Sequence, residues 1–271
     1  MTQHIDRDTK LCISLAARPS NHGVRFHNWL YRELGLNYLY KAFAPEDITA
    51  AVAGIRGLGI RGAGVSMPYK QEVIPLLDDL DDSAARINAV NTIVNDDGFL
   101  RGYNTDFIAV RQLLLEHQVD PGLTTAVRGS GGMAHAVVAA LAQHGMQGTI
   151  VARNHNTGSC LAHKYGWDYS TVVPEATELL VNVTPLGMRG EESDLHSFSE
   201  EDINRATIVF DVVADPVHTP LIHTALALNK HVITGGEVIS RQAAEQFRLY
   251  TGVELSPEHI QAAEEFASTG L

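Results

Sequence analysis

The stretch Thr125-Ala-Val-Arg-Gly-Ser-Gly-Gly-Met-Ala-His-Ala136, continued by Val137-Val-Ala-Ala-Leu141, decides how this chain is read. An apolar, strand-like run enters a cluster of glycines, and the glycines enter an alanine-rich helix. That order suits the pyrophosphate of a dinucleotide. Gly129 lets the chain turn sharply, Gly131 lets backbone approach the phosphates, and Ala134 keeps the helix close to the sheet. The helix start offers unpaired N–H groups and the positive end of the helix dipole. Ser130, Gly132 and Met133 belong to the same loop. Gly145 stops the helix, and a second strand, Gly148-Thr-Ile-Val-Ala152, follows.

The residues after that second strand bear on the cofactor. About 20 residues beyond the glycines, an NAD site places an acid against the ribose 2′-hydroxyl. This chain has Arg153, then Asn154, His155 and Asn156, with no carboxylate among them. An arginine suits the 2′-phosphate of NADP, which it can grip with a planar fork of donors. NADP is therefore the expected cofactor; the plainer reading of Arg153 is a solvated surface residue.

Composition bounds the rest. The chain has 271 residues and a formal charge of −12, so it can bury a large core and disfavours nucleic acid or anionic membrane as a partner. Cys12 and Cys160 lack metal or redox spacing, and a reduced, cytoplasmic location is expected. The 13 histidines include the pairs His22/His27 and His218/His223, read as surface or polar-network residues, with no metal site expected. The N-terminus lacks an apolar signal core, and no run reaches membrane-spanning length. A monomer or homodimer acting on a small molecule is expected.

Around this centre the pattern alternates strand and helix, which implies an α/β fold with a mostly parallel sheet. Strands are predicted at 11–15, 38–43, 62–66, 90–95 and 99–103, the last two joined as a hairpin by Asp96-Asp97-Gly98. Helices are predicted at 24–34, from Pro45-Glu46-Asp47 towards Arg56, at 70–77 and at 83–87. Residues 78–82 read as a solvated acidic turn. In the second half, strands are expected at 125–127, 149–152, 179–183, 208–213 and 231–234, with helices at 107–117, 241–247 and 257–266. The boundaries predicted are 1–106 plus 241–271 for one lobe and 107–240 for the dinucleotide lobe. A cleft between lobes is the expected ligand site.

Three islands in the first half place polar groups beside tight turns: Gly64-Val-Ser-Met-Pro-Tyr-Lys70, Asn88-Ala-Val-Asn-Thr92 and Gly102-Tyr-Asn-Thr-Asp106. Pro68 fixes the backbone after a strand, so Lys70 emerges at the strand's carboxyl end, where open α/β sheets bind ligands. Alcohol oxidation needs a group to take the hydroxyl proton as hydride leaves carbon. Lys70 and Asp106, held over one hydroxyl, would serve as a coupled pair. Singly, each island has a structural reading: a solvated Lys70, Asn91 and Asn104 capping turns, and Asp106 as the N-cap of the following helix.

Taken in order, the islands resemble the shikimate dehydrogenase family. The matching pieces are Val65-Ser-Met-Pro-Tyr-Lys70, Ala89-Val-Asn-Thr-Ile93, Gly102-Tyr-Asn-Thr-Asp106, Gly129-Ser-Gly-Gly132, Ala152-Arg-Asn154, Asn182-Val-Thr-Pro-Leu-Gly-Met188, Thr219-Pro-Leu221 and Gln242-Ala-Ala244. The resemblance implies an N-terminal α/β substrate-binding domain, a Rossmann-type NADP-binding domain, and interconversion of shikimate and 3-dehydroshikimate. It implies Lys70 and Asp106 as the proton-transfer pair, with Ser66, Asn91 and Gln242 on the other ring hydroxyls. Asn182 and Thr184 would lie near the nicotinamide, bordered by Val213 and Gly235.

The departures are equally specific. A family Ser-x-Ser-Pro loop that holds the substrate carboxylate aligns with Asn21-His-Gly-Val24, where Asn21 can still donate through its amide but Gly23 offers only backbone. A family tyrosine aligns with Ala214, and a Gly-Leu-Gly-Met turn has become Gly235-Gly-Glu-Val238. The resemblance thus implies a divergent NADP-linked dehydrogenase, weak on shikimate, with a related cyclic hydroxy acid such as quinate or an aminated analogue as the alternative substrate. A non-catalytic sensor of NADP or a ring acid is the competing class. Arg128, at the end of a buried strand, has no role in either reading.

Overall fold

A computed structural model describes residues 5–269 of the chain. The chain forms two compact units, one comprising residues up to Thr105 and from Ser240 onward, the other Asp106–Ile239.

In the first unit the elements run β1 (Lys10–Leu15), α1 (His22–Glu33), β2 (Tyr38–Phe43), α2 (Ile48–Gly57), β3 (Gly62–Val65), β4 (Asp79–Leu80), α3 (Asp82–Ala85), β5 (Thr92–Asp96) and β6 (Phe99–Tyr103). The sheet order is β2-β1-β3-β5-β6-β4. It is parallel from β2 to β3, but β5 runs antiparallel to both β3 and β6, so this sheet is mixed where a mostly parallel one was expected. The reason is the hairpin itself. Asp97 and Gly98 both take positive φ, +51° and +93°, the turn whose twist matches two antiparallel strands.

Two local expectations change. Residues 70–77 were expected as a helix, yet only Ile74–Leu76 is helical, and as a 3-10 turn. Pro75 has no N–H to continue an α-helix, and its ring collides with the preceding turn. The expected acidic turn at 78–82 contains β4, which pairs with β6 in parallel through Asp79↔Arg101. Asp78 accepts from the Leu100 N–H at 2.7 Å and pairs with Arg56 at 2.8 Å, so these acids are bonded to the sheet rather than only to water.

Alternation along β1 sorts the core. Cys12 packs into a cluster with Phe26, Leu30, Tyr31, Tyr40, Phe247 and Tyr250. Its neighbours Ile13 and Leu15 pack with Val52, Ile55, Ala63 and Ile93. Burial pushes the Cys12 thiol up to about 12.

The second unit contains α4 (Thr105–Glu116, from Asp106), β7 (Thr125–Arg128), α5 (Gly132–Gln143), β8 (Gly148–Val151), α6 (His155–Tyr165), β9 (Asp168–Ser170), β10 (Leu179–Asn182), α7 (Glu200–Arg205), β11 (Ile208–Asp211), α8 (Pro220–Ala227) and β12 (His231–Ile233). Every strand pair is parallel, in the order β12-β11-β10-β7-β8-β9. This is the doubly wound Rossmann order, with its switch point beside β7. β9 went unpredicted because Asp-Tyr-Ser offers no apolar run. Finally, α9 (Gly235–Thr251) begins in this unit, and from Ser240 its residues belong to the first unit with α10 (Pro257–Ser268).

Candidate active site

In the first unit, main-chain hydrogen bonds knit the polar islands together. The Val65 N–H donates to the Asn91 carbonyl, and the Val90 N–H to the Lys70 carbonyl, both at 2.7 Å. Asn91 is 3% exposed, and its Oδ1 accepts from the Thr105 N–H at 2.8 Å, Thr105 Oγ1 at 3.1 Å and Thr92 Oγ1 at 2.9 Å. The backbone donor fixes which end of the Asn91 amide is oxygen, leaving the Nδ2 group outside these bonds as a donor. Lys70 is thereby tied to the residue before Asn91. Thr105, the residue before Asp106, is tied to Asn91 itself.

Asp106 lies in the first turn of α4 rather than at its N-cap, because the helix already starts at Thr105. Ser66 is exposed just past β3, its N–H bonded to the Leu15 carbonyl at 2.9 Å. Asn21 is exposed at the start of α1, and its side chain makes no capping bond, so its amide is available after β1. Gln242 is half-buried on α9. One turn further along, Gln246 is buried and donates to Thr92 Oγ1 at 2.8 Å and the Asn91 carbonyl at 3.3 Å. Sequence reasoning missed Gln246. Its spacing of four from Gln242, on one helix face, was the available signal.

In the second unit the glycine loop has the geometry a dinucleotide needs. Gly129 has φ +122°, and a Cβ there would stand 2.8 Å from Val183 Cγ2, so only glycine fits. Gly131 caps α5, and both it and Gly132 are exposed, while Met133 is half-buried. The Gly129 N–H bonds to the Val151 carbonyl at 3.0 Å, and Ser130 Oγ lies 2.7 Å from Thr157 Oγ1. Arg153 is exposed and makes no ion pair among the described residues. Asn154, directly after it, is spent on capping α6. A cavity of about 280 Å³ is lined by Arg128, Gly129, Ser130, Arg153, Thr184 and Glu192, among others.

Three of the predicted cofactor residues serve from inside. Asn182 is fully buried, with its Nδ2 2.9 Å from Asp211 Oδ1 and its Oδ1 accepting from the Thr184 N–H and hydroxyl at 3.1 and 2.6 Å. It shapes the Thr184 turn instead of facing a ligand. Asp211 is also fully buried; burial raises its carboxyl above the usual carboxylate range. Val213 and Gly235 touch each other: a Cβ on Gly235 would run into the Val213 carbonyl oxygen. Gly235 also opens α9, where a turn was expected.

The histidines divide: His22, His218 and His223 fit the surface or polar-network reading, whereas His27 does not, because it is buried among Phe26, Tyr40 and Phe247. His22 pairs with Glu264 at 2.8 Å, the His218 and His223 rings lie 5.6 Å apart and tilted, and His27 is stacked on Tyr40. Among the described residues, no cluster of His, Cys, Asp or Glu could hold a metal ion, and no helix is long and apolar enough to cross a membrane.

A mixed-sheet unit followed by a doubly wound unit with a glycine loop defines a two-domain α/β nucleotide-binding protein. A model of the shikimate dehydrogenase substrate binding domain matches residues 21–93. A shikimate dehydrogenase-like protein of Haemophilus influenzae is 50% identical over 269 residues, 98% of this chain and 99% of that one. A solved shikimate 5-dehydrogenase-like protein superposes with a TM-score of 0.97 at 49% identity, covering 98% of this chain and 100% of its own. A shikimate dehydrogenase solved with NADP+ superposes with a TM-score of 0.88 at 30% identity, covering 97% of each. The chain belongs to the shikimate dehydrogenase family, whose members include NADP-dependent oxidoreductases.

Proposed function

We propose that this protein is an NADP-dependent dehydrogenase of a cyclic hydroxy acid, turning over shikimate slowly and a related ring acid better. The supporting observation is the hydrogen-bond net centred on Asn91, which ties the Lys70 main chain and the residue before Asp106 to one rigid framework. Preorganisation of that kind is what proton transfer at a single hydroxyl requires.

The pocket in the second unit fits NADP on its own features. Gly129 is a cradle that a Cβ would fill, α5 presents exposed N–H groups, and Arg153 supplies an uncommitted guanidinium where an NAD site needs an acid. NADP, when bound, supplies the hydride acceptor for the oxidation direction. Gly129, Ser130, Gly131, Gly132 and Met133 would receive the pyrophosphate side and Arg153 the 2′-phosphate. Thr184, Val213 and Gly235 would border the nicotinamide, with Asn182 holding their turn.

The chain's own groups do the rest. Lys70 and Asp106 take the proton from the reacting hydroxyl in one direction and return it in the other. The Asn91 Nδ2 group donates to a second hydroxyl, because its oxygen is already taken by Thr105 and Thr92. Ser66 and Gln242 complete the ring contacts.

Asn21 alone remains for the carboxylate. Each lost charge-assisted hydrogen bond is worth roughly 1.5–3 kcal/mol. Losing two of them costs on the order of a hundredfold to ten-thousandfold in turnover of shikimate. A screen of shikimate, quinate and aminated ring acids with NADP, followed by reduced-nicotinamide absorbance, tests the reading. A ring acid used at least tenfold better than shikimate is expected. NADP binding with no turnover of any ring acid would support a sensor instead.

A further inference from the structure

We propose that Arg128 is a second guanidinium for the cofactor's 2′-phosphate, acting with Arg153 to set the preference for NADP. The inference rests on the NADP reading above and adds a residue that the glycine loop and the family pieces do not include.

Arg128 ends β7, a central strand whose other residues are all buried, so an apolar side chain would suit its place. Its Nε is buried and makes no hydrogen bond among the described residues. The guanidinium lies 5.2 Å from the centre of the Phe198 ring. The acid whose charge acts on it is Asp202, which is committed elsewhere, to Arg205 at 2.7 Å and to the Ser199 hydroxyl at 2.6 Å. A buried guanidinium donor without an acceptor is costly, and stacking on one ring does not replace the missing bond. An anion arriving from the adjoining cavity would supply it.

The register places that anion. Arg128 pairs with Val151 on β8, and Arg153 follows Val151 by two residues, so both arginines stand at the carboxyl edge of neighbouring strands. Both line the same 280 Å³ cavity. Glu192 lines it too, so Arg153 alone would leave the cavity without net positive charge. With Arg128 the balance becomes positive, which suits a phosphate dianion.

The test is the binding of NADPH, NADH, 2′,5′-ADP and ADP to the full chain, followed by calorimetry, for wild type, Arg128→Met, Arg128→Lys and Arg153→Met. Wild type should favour NADPH and 2′,5′-ADP. Arg128→Met should weaken both roughly 10- to 100-fold while leaving NADH and ADP within about twofold. Arg128→Lys, which keeps the charge and loses the fork, should fall between and guards against a misfolded Met variant. An unchanged NADPH-to-NADH ratio in both Arg128 variants, or equal weakening of all four ligands, would overturn the inference. Loss of preference in Arg153→Met alone would do the same while leaving the NADP reading intact. A wild type binding NADPH and NADH equally would overturn both.

Discussion

Oε1 of Glu237 lies 2.8 Å from Nε2 of His117, while Oε2 accepts from the N–H and hydroxyl of Thr234 at 2.8 and 2.7 Å. The Thr234 hydroxyl in turn accepts from the Glu237 N–H at 3.3 Å. Thr234-x-x-Glu237 is thus a capping box that starts α9. The acid standing where the family has glycine caps a helix. Glu237→Ala should lower stability by about 1 kcal/mol, the ordinary worth of a cap, in urea denaturation. Glu237→Gln should lose less, because it retains an acceptor.

Gly129→Ala meets two obstacles, a φ of +122° and a Cβ 2.8 Å from Val183 Cγ2. The backbone must shift to accept it, and the shifted loop no longer follows the phosphates. NADPH affinity should fall at least tenfold by calorimetry, with a smaller loss in thermal stability.

Asp211 satisfies the Thr219 hydroxyl at 2.6 Å, the Val213 N–H at 3.1 Å and the Asn182 amide at 2.9 Å, all within the sheet's carboxyl edge. Asp211→Ala strands these buried donors. Stability should drop by about 3 kcal/mol or more, read from the urea midpoint at constant slope.

His27 gives the fold a pH dependence. It is 1% exposed, and burial pushes its imidazole from 6.5 down to about 3. Below pH 6.5 the unfolded chain takes up a proton that the folded chain refuses, so stability from this group is full above 6.5 and lost as pH falls towards 3. The slope is up to about 1.4 kcal/mol per pH unit. Between pH 6 and 4, His27→Phe should lose stability less steeply than wild type in urea titrations; an unchanged slope would contradict this.

Much of this was legible in the chain because its signals were local. The glycine loop, the Asp97-Gly98 turn and the alternating strands of the second unit each carry their own chemistry within a few residues. What escaped depended on distant partners. Lys70 to Leu77 reads as a helix until Pro75 and the short span decide otherwise. β4 exists only because β6 lies beside it. Asn182 carries a binding motif, but its burial turns it into a brace. Glu237 and Gln246 had readable spacings, Thr-x-x-Glu and an i+4 repeat, whose meaning appeared only with their hydrogen-bond partners.

The proton-transfer role of Lys70 with Asp106 is the centre of the account, and single-turnover kinetics of Lys70→Ala and Asp106→Asn with NADP and the preferred ring acid test it most directly. Each variant should slow the chemical step by at least about a hundredfold while NADPH binding stays within twofold. A Lys70→Ala enzyme oxidising its substrate at the wild-type rate would contradict it.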